Sequence, residues 1–330
     1  MVTLPDRPAP RSETGTLPDP GGQPIAASRS SLDRPLAGIA CKVAASLLFS
    51  LMFAAIRWLG PYFPIGEIVF FRSLFGIPVI VAAAFAMGGP SLLATKRIDS
   101  HALRSIAGTI SMFCNFAAYI YLPLADATAI GFAAPLFVVI LAALVLSERV
   151  HAYRWSAVVI GFVGVVIIAG PEAGMSRAAL YGALFALAGA GLTALAMIFL
   201  RRMSAHEHSI TIAFYYTLTS TAVSLTTLFL GWNVPTSAEA LVLVLIGLTG
   251  GVGQLFLSFS YRYGEASVLA PFDYTAMLWA VLLGYFFFGE LPAVQVWLGG
   301  AVVTAAGLLI LWRERKLGRA RAHPNYSRLP

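Results

Sequence analysis

Residues 127–146 read ATAIGFAAPLFVVILAALVL, twenty consecutive positions without a charged side chain. An α-helix rises 1.5 Å per residue, so about 20 apolar residues cross the roughly 30 Å hydrocarbon core of a bilayer. A run of this length and polarity reads as a spanning helix. Working outward from it, nine further apolar runs give spans at 36–58, 66–88, 103–122, 153–170, 178–200, 209–231, 238–261, 267–288 and 294–312. The fold class is therefore all-α integral membrane, with ten transmembrane helices.

Composition supports the same reading. Of 330 residues, 58% are hydrophobic and 11% charged, with a mean hydropathy of +0.80. A soluble domain carries about 25% charged residues, and this chain has too little charge to coat a water-facing surface. The net charge of +7 does not indicate nucleic acid, because the cations fall between apolar runs rather than on a basic, aromatic-interleaved surface. Cys41 and Cys114 lie inside apolar runs and form neither a metal pattern nor a disulfide framework. Most joining segments are short, so consecutive helices are antiparallel neighbours, and none can house a soluble catalytic domain.

Residues 1–35 are rich in Pro, Ser, Gly and charge and lack the compact apolar core and cleavage site of a signal peptide. They are expected to be a disordered cytoplasmic tail, with the first span serving as the insertion signal. With that tail inside, eighteen of the 22 Lys and Arg residues fall on the cytoplasmic side. Among them are Arg104 at the start of the third span and the basic tail at 313–330. Arg57 and Arg177 remain outside, and Lys42 and Arg72 lie within spans. Both termini are expected on the cytoplasmic side of the membrane.

The run that opened this reading ends at Ser147-Glu148-Arg149, with Trp155 seven residues after the glutamate. The ninth span ends at Gly289-Glu290-Leu291, with Trp297 again seven residues later. Upstream, Phe70-Phe71-Arg72-Ser73-Leu74 falls on Phe214-Tyr215-Tyr216-Thr217-Leu218 at an offset of 144, as Arg57 falls on Arg201. Gly108, Asn115 and Asp126 fall on Gly247, Gln254 and Glu265 at an offset of 139. Such matches at nearly constant offset indicate an internal duplication: a first five-helix repeat at 36–171 and a second at 178–312. Five is odd, so the second repeat enters the membrane from the opposite side. Inverted repeats of this kind place substrate sites near the midplane between the halves.

On these residues the chain resembles the drug/metabolite transporter superfamily, specifically its EamA-type members with two tandem five-helix repeats. The likeness is carried by Phe70-Phe71-Arg72, by Pro135 with Glu148, and by Ala270-Pro271-Phe272-Asp273-Tyr274 leading to Gly289-Glu290-Leu291-Pro292. It implies a ten-helix bundle whose central cavity is lined by spans one to four and six to nine, with spans five and ten peripheral. Glu148 and Glu290 would then cap or pair at helix ends. The resemblance leans toward the branch associated with riboflavin or S-adenosylmethionine uptake, with riboflavin the first expectation and amino acids or other metabolites the alternatives. Tyr216 stands where the first repeat has Arg72, so one half alone can supply that cation.

Ionisable residues within spans are functional candidates because charge is costly in hydrocarbon. Lys42, Glu67, Arg72 and Asp273 meet that criterion. Arg72 with Glu67 is read as a cavity cation and its partner, suited to an anionic or polar substrate; alternatively Arg72 satisfies broken backbone carbonyls while Glu67 sits near the outer interface. Lys42 either lines the cavity or snorkels to the cytoplasmic surface. Asp273, two residues after Pro271 in a stretch expected to be irregular, binds substrate, accepts a coupling proton, or caps freed amides. Asn115 and Gln254 are repeat-related amides that hydrogen-bond substrate or hold helices together. Tyr216, Tyr274 and Trp279, with Tyr119, Phe132 and Phe214, are candidate aromatic walls.

The leading expectation is secondary transport of a small molecule by alternating access, without catalytic residues, cofactor or metal, and with a homodimer allowed. No nucleotide-binding loop is present to drive a pump. An integral-membrane transferase, the enzyme alternative, would need clustered Asp, His or Lys at a membrane surface, and the sequence offers none.

Overall fold

The computed structural model describes residues 35–95, 97–145, 152–170, 176–203, 207–264 and 266–322. The N-terminal tail, Glu148 with Arg149, Glu265 and the end of the C-terminal tail lie outside them. Twelve α-helices build the spans: α1 (Pro35–Leu59), α2 (Ile65–Met87), α3 (Ile98–Tyr121), α4 (Leu124–Gly131), α5 (Ala134–Val145), α6 (Ala152–Ala169), α7 (Arg177–Met203), α8 (Ser209–Leu225), α9 (Ser237–Tyr263), α10 (Ala266–Leu269), α11 (Thr275–Phe288) and α12 (Val294–Ala322). Eight described segments are long and apolar enough to cross a membrane, and the apolar part of α12 is shorter. The third span, α3, is not among the eight, because Arg104, Ser105, Thr109, Ser111 and Asn115 dilute its apolar character.

The fourth span, expected to be continuous, is two helices. Pro135 has no N–H to give to the carbonyl four residues back, and its ring crowds that carbonyl. The chain breaks at Phe132 and Ala133, where Ala133 N–H turns to the Ile130 carbonyl at 2.9 Å. In the ninth span Pro271 has a related effect. A 3-10 segment, Ala270–Tyr274, joins α10 to α11, so the expected irregular stretch is present.

The helices pair across the halves rather than within them. The two most extensive contacts are α3 with α7 and α1 with α9, the third span on the sixth and the first on the eighth. Exchanging the two halves turns one pair into the other. The second span packs on the seventh and the fifth on the tenth, so each of these pairs maps onto itself under the same exchange. The inverted duplication inferred from sequence offsets is thus expressed in the packing. At the α6–α12 seam the backbones nearly touch: a Cβ at Gly164 would lie 2.8 Å from the Gly299 carbonyl oxygen. Without a hydrophobic drive between helices in lipid, such close approach of small residues supplies much of the contact. Val159, Ile160 and Val163 of α6 and Trp297 and Leu298 of α12 are exposed, as side chains facing lipid should be.

Candidate functional site

Between the halves lies a cavity of about 340 Å³. Its polar wall comes chiefly from α3, where Arg104, Gly108, Ser111 and Asn115 follow one another at helical intervals and so share one face. α2 contributes Arg72, α8 Tyr216, α9 Gln254 and α7 Thr193, while Phe49, Met52 and Phe53 of α1 form an apolar side. A larger groove of about 480 Å³, walled by Leu51, Trp58, Leu245 and Phe287 among others, has an almost wholly apolar lining. Nothing in it would recognise a polar solute, and its exposed leucines and aromatics suit lipid chains. The polar cavity is the candidate site.

At its centre two guanidinium groups approach one ring. The Arg104 Cζ lies 4.2 Å and the Arg72 Cζ 6.0 Å from the Tyr216 ring centroid, within reach of a cation–π interaction. Arg72 is 7% exposed. Its Nε and the Nε and Nη1 of Arg104 are buried without an acceptor among the described residues. Neither arginine forms an ion pair there. Room for this cluster is made by two glycines. A Cβ at Gly108 would sit 2.9 Å from Tyr216 Cε2 and 3.1 Å from Arg104 Nη1, and one at Gly250 would sit 3.1 Å from Arg72 Nε.

The two repeat-related amides have different surroundings. Asn115 Nδ2 donates to the Ser111 carbonyl at 2.9 Å and to Ser111 Oγ at 3.1 Å, and Ser111 Oγ meets Thr193 Oγ1 at 2.7 Å. The short bonds of this amide stay within α3, and it reaches α7 only at 3.4 Å, to Thr193 Oγ1; the main tie between the two helices is Ser111, whose Oγ also donates to the Gly189 carbonyl at 3.0 Å. The Gln254 side chain lines the cavity with no hydrogen bond among the described residues.

The other sequence candidates lie away from this lining. Lys42, only 3% exposed, meets Asp273 Oδ1 at 2.7 Å and donates to Tyr261 Oη at 3.0 Å. It does not snorkel to the surface, and the two residues read as separate candidates are partners, joining the first span to the ninth. Glu67 is not the partner of Arg72: its Oε2 accepts from the Asn233 backbone N–H at 3.0 Å. Tyr274 packs edge-on against Phe132, centroids 4.9 Å apart, with its hydroxyl against Gly307 of α12. Trp279 holds its Nε1 buried without an acceptor among the described residues and is not part of the cavity wall. Arg104, by the charge pattern a cytoplasmic helix-end cation, instead sends its side chain into the cavity. Its helical register with Gly108, Ser111 and Asn115 was the available signal.

The cavity lies toward the face where α3 and α8 begin and α7 and α9 end. Toward the other face the halves are closed on one another. Trp232 packs on Phe70 and Phe71 at centroid distances of 5.0 and 6.3 Å, and Glu67 holds Asn233. Arg57 joins the ends of three spans through the Leu122 carbonyl and the Glu290 carboxylate. Glu290 thus pairs at its helix end, while the matching Glu148 lies outside the described residues.

A helical bundle of two intertwined halves around a polar cavity is the architecture of a membrane carrier. The EamA-like transporter family model matches residues 36–170 and 180–312. The chain belongs to that family, whose members have a ten-helix membrane fold of two inverted repeats. Curated relatives include the pseudopaline exporter CntI of Pseudomonas aeruginosa strain UCBPP-PA14, 30% identical over 86% of this chain and 99% of the relative. The riboflavin transporter of Rhizobium johnstonii is 30% identical over 88% and 95%. The S-adenosylmethionine uptake transporter of Rickettsia prowazekii is 28% identical over 79% and 87%. A solved crystal structure shares the fold at a TM-score of 0.60, with 22% identity over 86% of this chain and 99% of its own. The chain is a multi-pass membrane transporter, and the family and its relatives are transporters, not enzymes.

Proposed function

We propose that the chain is a secondary transporter that carries a small metabolite across the bacterial inner membrane by alternating access, binding it in the cavity around Tyr216. The observation that carries this reading is a polar cavity walled by both halves near one face while the opposite face is sealed by cross-half contacts. The excess of cations at the cavity's face supports placing that face, and both termini, in the cytoplasm. Rocking of one half against the other would break the Trp232, Glu67 and Arg57 contacts and open the site outward.

Among substrates named for relatives, riboflavin is the first to test. Its ring is neutral and could stack on Phe49, Phe53 or Tyr216. S-adenosylmethionine carries a sulfonium cation, and no carboxylate lines the described cavity to receive it. Counterflow in proteoliposomes tests the carrier reading. Labelled solute should exchange against unlabelled solute trapped inside, and equal leakage without trapped solute would identify a channel instead.

A further inference from the structure

We propose that Arg72, Arg104 and Tyr216 form an anion-recognition site, so that the transported molecule presents a carboxylate or phosphate group to the two guanidinium forks. This rests on the transport reading above, though not on its first choice of solute, since riboflavin bears no anionic group, and it names the substrate class of the same cavity.

Two cations in one membrane cavity need an explanation. Charge within a membrane span is costly, and intramembrane arginines ordinarily pair with carboxylates. Here the described carboxylates near membrane depth have other neighbours: Asp273 has Lys42, Glu290 has Arg57, and Glu67 has the Asn233 amide. Asp126 lies by Arg57 and Glu290. A structural role for Arg72 and Arg104 would leave donor groups aimed at protein acceptors, and their buried Nε atoms have none among the described residues.

The geometry suits an incoming acceptor. A guanidinium held by an aromatic ring rather than by a carboxylate keeps its N–H donors for bidentate bonding to an oxyanion. Tyr216 lies near both groups and accepts from neither. Gly108 and Gly250 keep the backbone bare beside Arg104 and Arg72. Gln254 adds an unengaged amide, and Phe49 and Phe53 offer an apolar surface for the remainder of the molecule.

The test reads the sign of the cavity without knowledge of the natural substrate. In full-length protein in liposomes, with Cys41→Ser and Cys114→Ser as background, Gln254→Cys is labelled by two methanethiosulfonates, one bearing sulfonate and one trimethylammonium. Rates are normalised to those with a free thiol in solution. Focusing of charge in a cleft raises local counter-ion concentration about tenfold or more, so the sulfonate should react preferentially by about that factor. Arg104→Gln should reduce the preference, and Arg104→Lys, which keeps the charge but not the fork, should retain it. Equal rates or a preference for trimethylammonium overturn the anion site and leave the cavity standing. No labelling by either reagent from either side removes the cavity, and with it the transport reading. In a second arm, phenylacetate, phenyl phosphate, riboflavin and S-adenosylmethionine are compared as thermal stabilisers of the purified chain. Stabilisation by either acid, lost in Arg104→Gln, supports the proposal and tells carboxylate from phosphate. S-adenosylmethionine also bears a carboxylate, so its stabilisation counts for the proposal when lost in Arg104→Gln and against it when kept. Stabilisation by riboflavin alone, or by none of the compounds bearing an anionic group, overturns it.

Discussion

The two halves share a fold and an ancestry visible in their offsets, yet they bring opposite chemistry to the cavity. The first half supplies both cations, Arg72 and Arg104. At the matching positions the second has Tyr216 and, by the offset of 139 that aligns Asn115 with Gln254, Leu243, which is buried in an apolar cluster. Because the second span packs on the seventh, the repeat-related Arg72 and Tyr216 meet in space. Two arginines there would repel, whereas an arginine and a ring attract. Divergence of one partner at a self-paired contact thus turns a symmetric scaffold into an asymmetric site, while Asn115 and Gln254 divide between holding helices and facing the cavity.

The comparison breaks most sharply at Arg72. Replacement by Ala should lower transport about ten- to a hundredfold, since a hydrogen bond to a charged group contributes about 1.5–3 kcal/mol. Arg72→Lys should restore little, because a point charge does not reproduce a planar fork. Tyr216→Phe keeps the ring face and should be much milder. Initial-rate uptake or efflux in proteoliposomes, at matched protein, checks this. Near wild-type transport by Arg72→Ala would end the idea of a charged first half, and loss of the protein from the membrane would make Arg72 structural.

Next in size is the space between the arginines and the ring. Gly108→Ala adds a methyl 2.9 Å from Tyr216 Cε2, an overpacking of a kind that costs about 1–3 kcal/mol. Transport should fall while helix content is kept. Gly131→Ala, where a Cβ meets nothing within 4 Å, should have little effect on either. Equal behaviour of the two variants in the transport assay would mean that the Arg104–Tyr216 approach is not needed.

Most of this scaffold was legible in the sequence because lipid imposes a simple rule: long apolar runs become helices, and odd-numbered repeats invert. The break at Phe132 was missed because hydropathy is blind to the missing N–H of Pro135. Arg72, Tyr216, Asn115 and Gln254 were legible as cavity residues because polar groups within spans need a reason. Arg104 was not. A cation in the second turn of a helix contributes equally to a loop-charge count whether it points to water or inward, and only its register with Gly108, Ser111 and Asn115 tells the difference. Lys42 and Asp273 show the converse: both drew attention as intramembrane charges, and in the structure each is the other's partner.

A smaller effect separates the two amides by stability. Asn115→Ala removes the bonds to Ser111 within α3 and the 3.4 Å bond to Thr193 of α7, and leaves Ser111 and Thr193 to hold the α3–α7 seam. Hydrogen bonds between membrane helices average about 0.6 kcal/mol, and one such bond is lost, so a loss of about 0.6 kcal/mol is expected. It would be read as a lower midpoint in thermal unfolding of the detergent-solubilised protein. An unchanged midpoint would remove the seam role and return Asn115 to the cavity on equal terms with its counterpart.

The smallest effect is expected at Gln254, and its form matters more than its size. The side chain makes no hydrogen bond among the described residues, so Gln254→Ala breaks nothing in the folded protein, and its stability should stay within about 0.5 kcal/mol of wild type. If the amide meets substrate, its loss removes one ordinary hydrogen bond of about 0.5–1.5 kcal/mol. That should raise KM about two- to tenfold, while the maximal rate is nearly kept. Gln254→Asn shortens the side chain by one methylene and should fall between the two. Asn115→Ala should show the reverse pattern, with a lowered midpoint and a smaller change in KM. A drop in the thermal midpoint of Gln254→Ala equal to that of Asn115→Ala, at unchanged KM, would show that both amides hold helices. The functional asymmetry of the halves would then rest on the arginines alone.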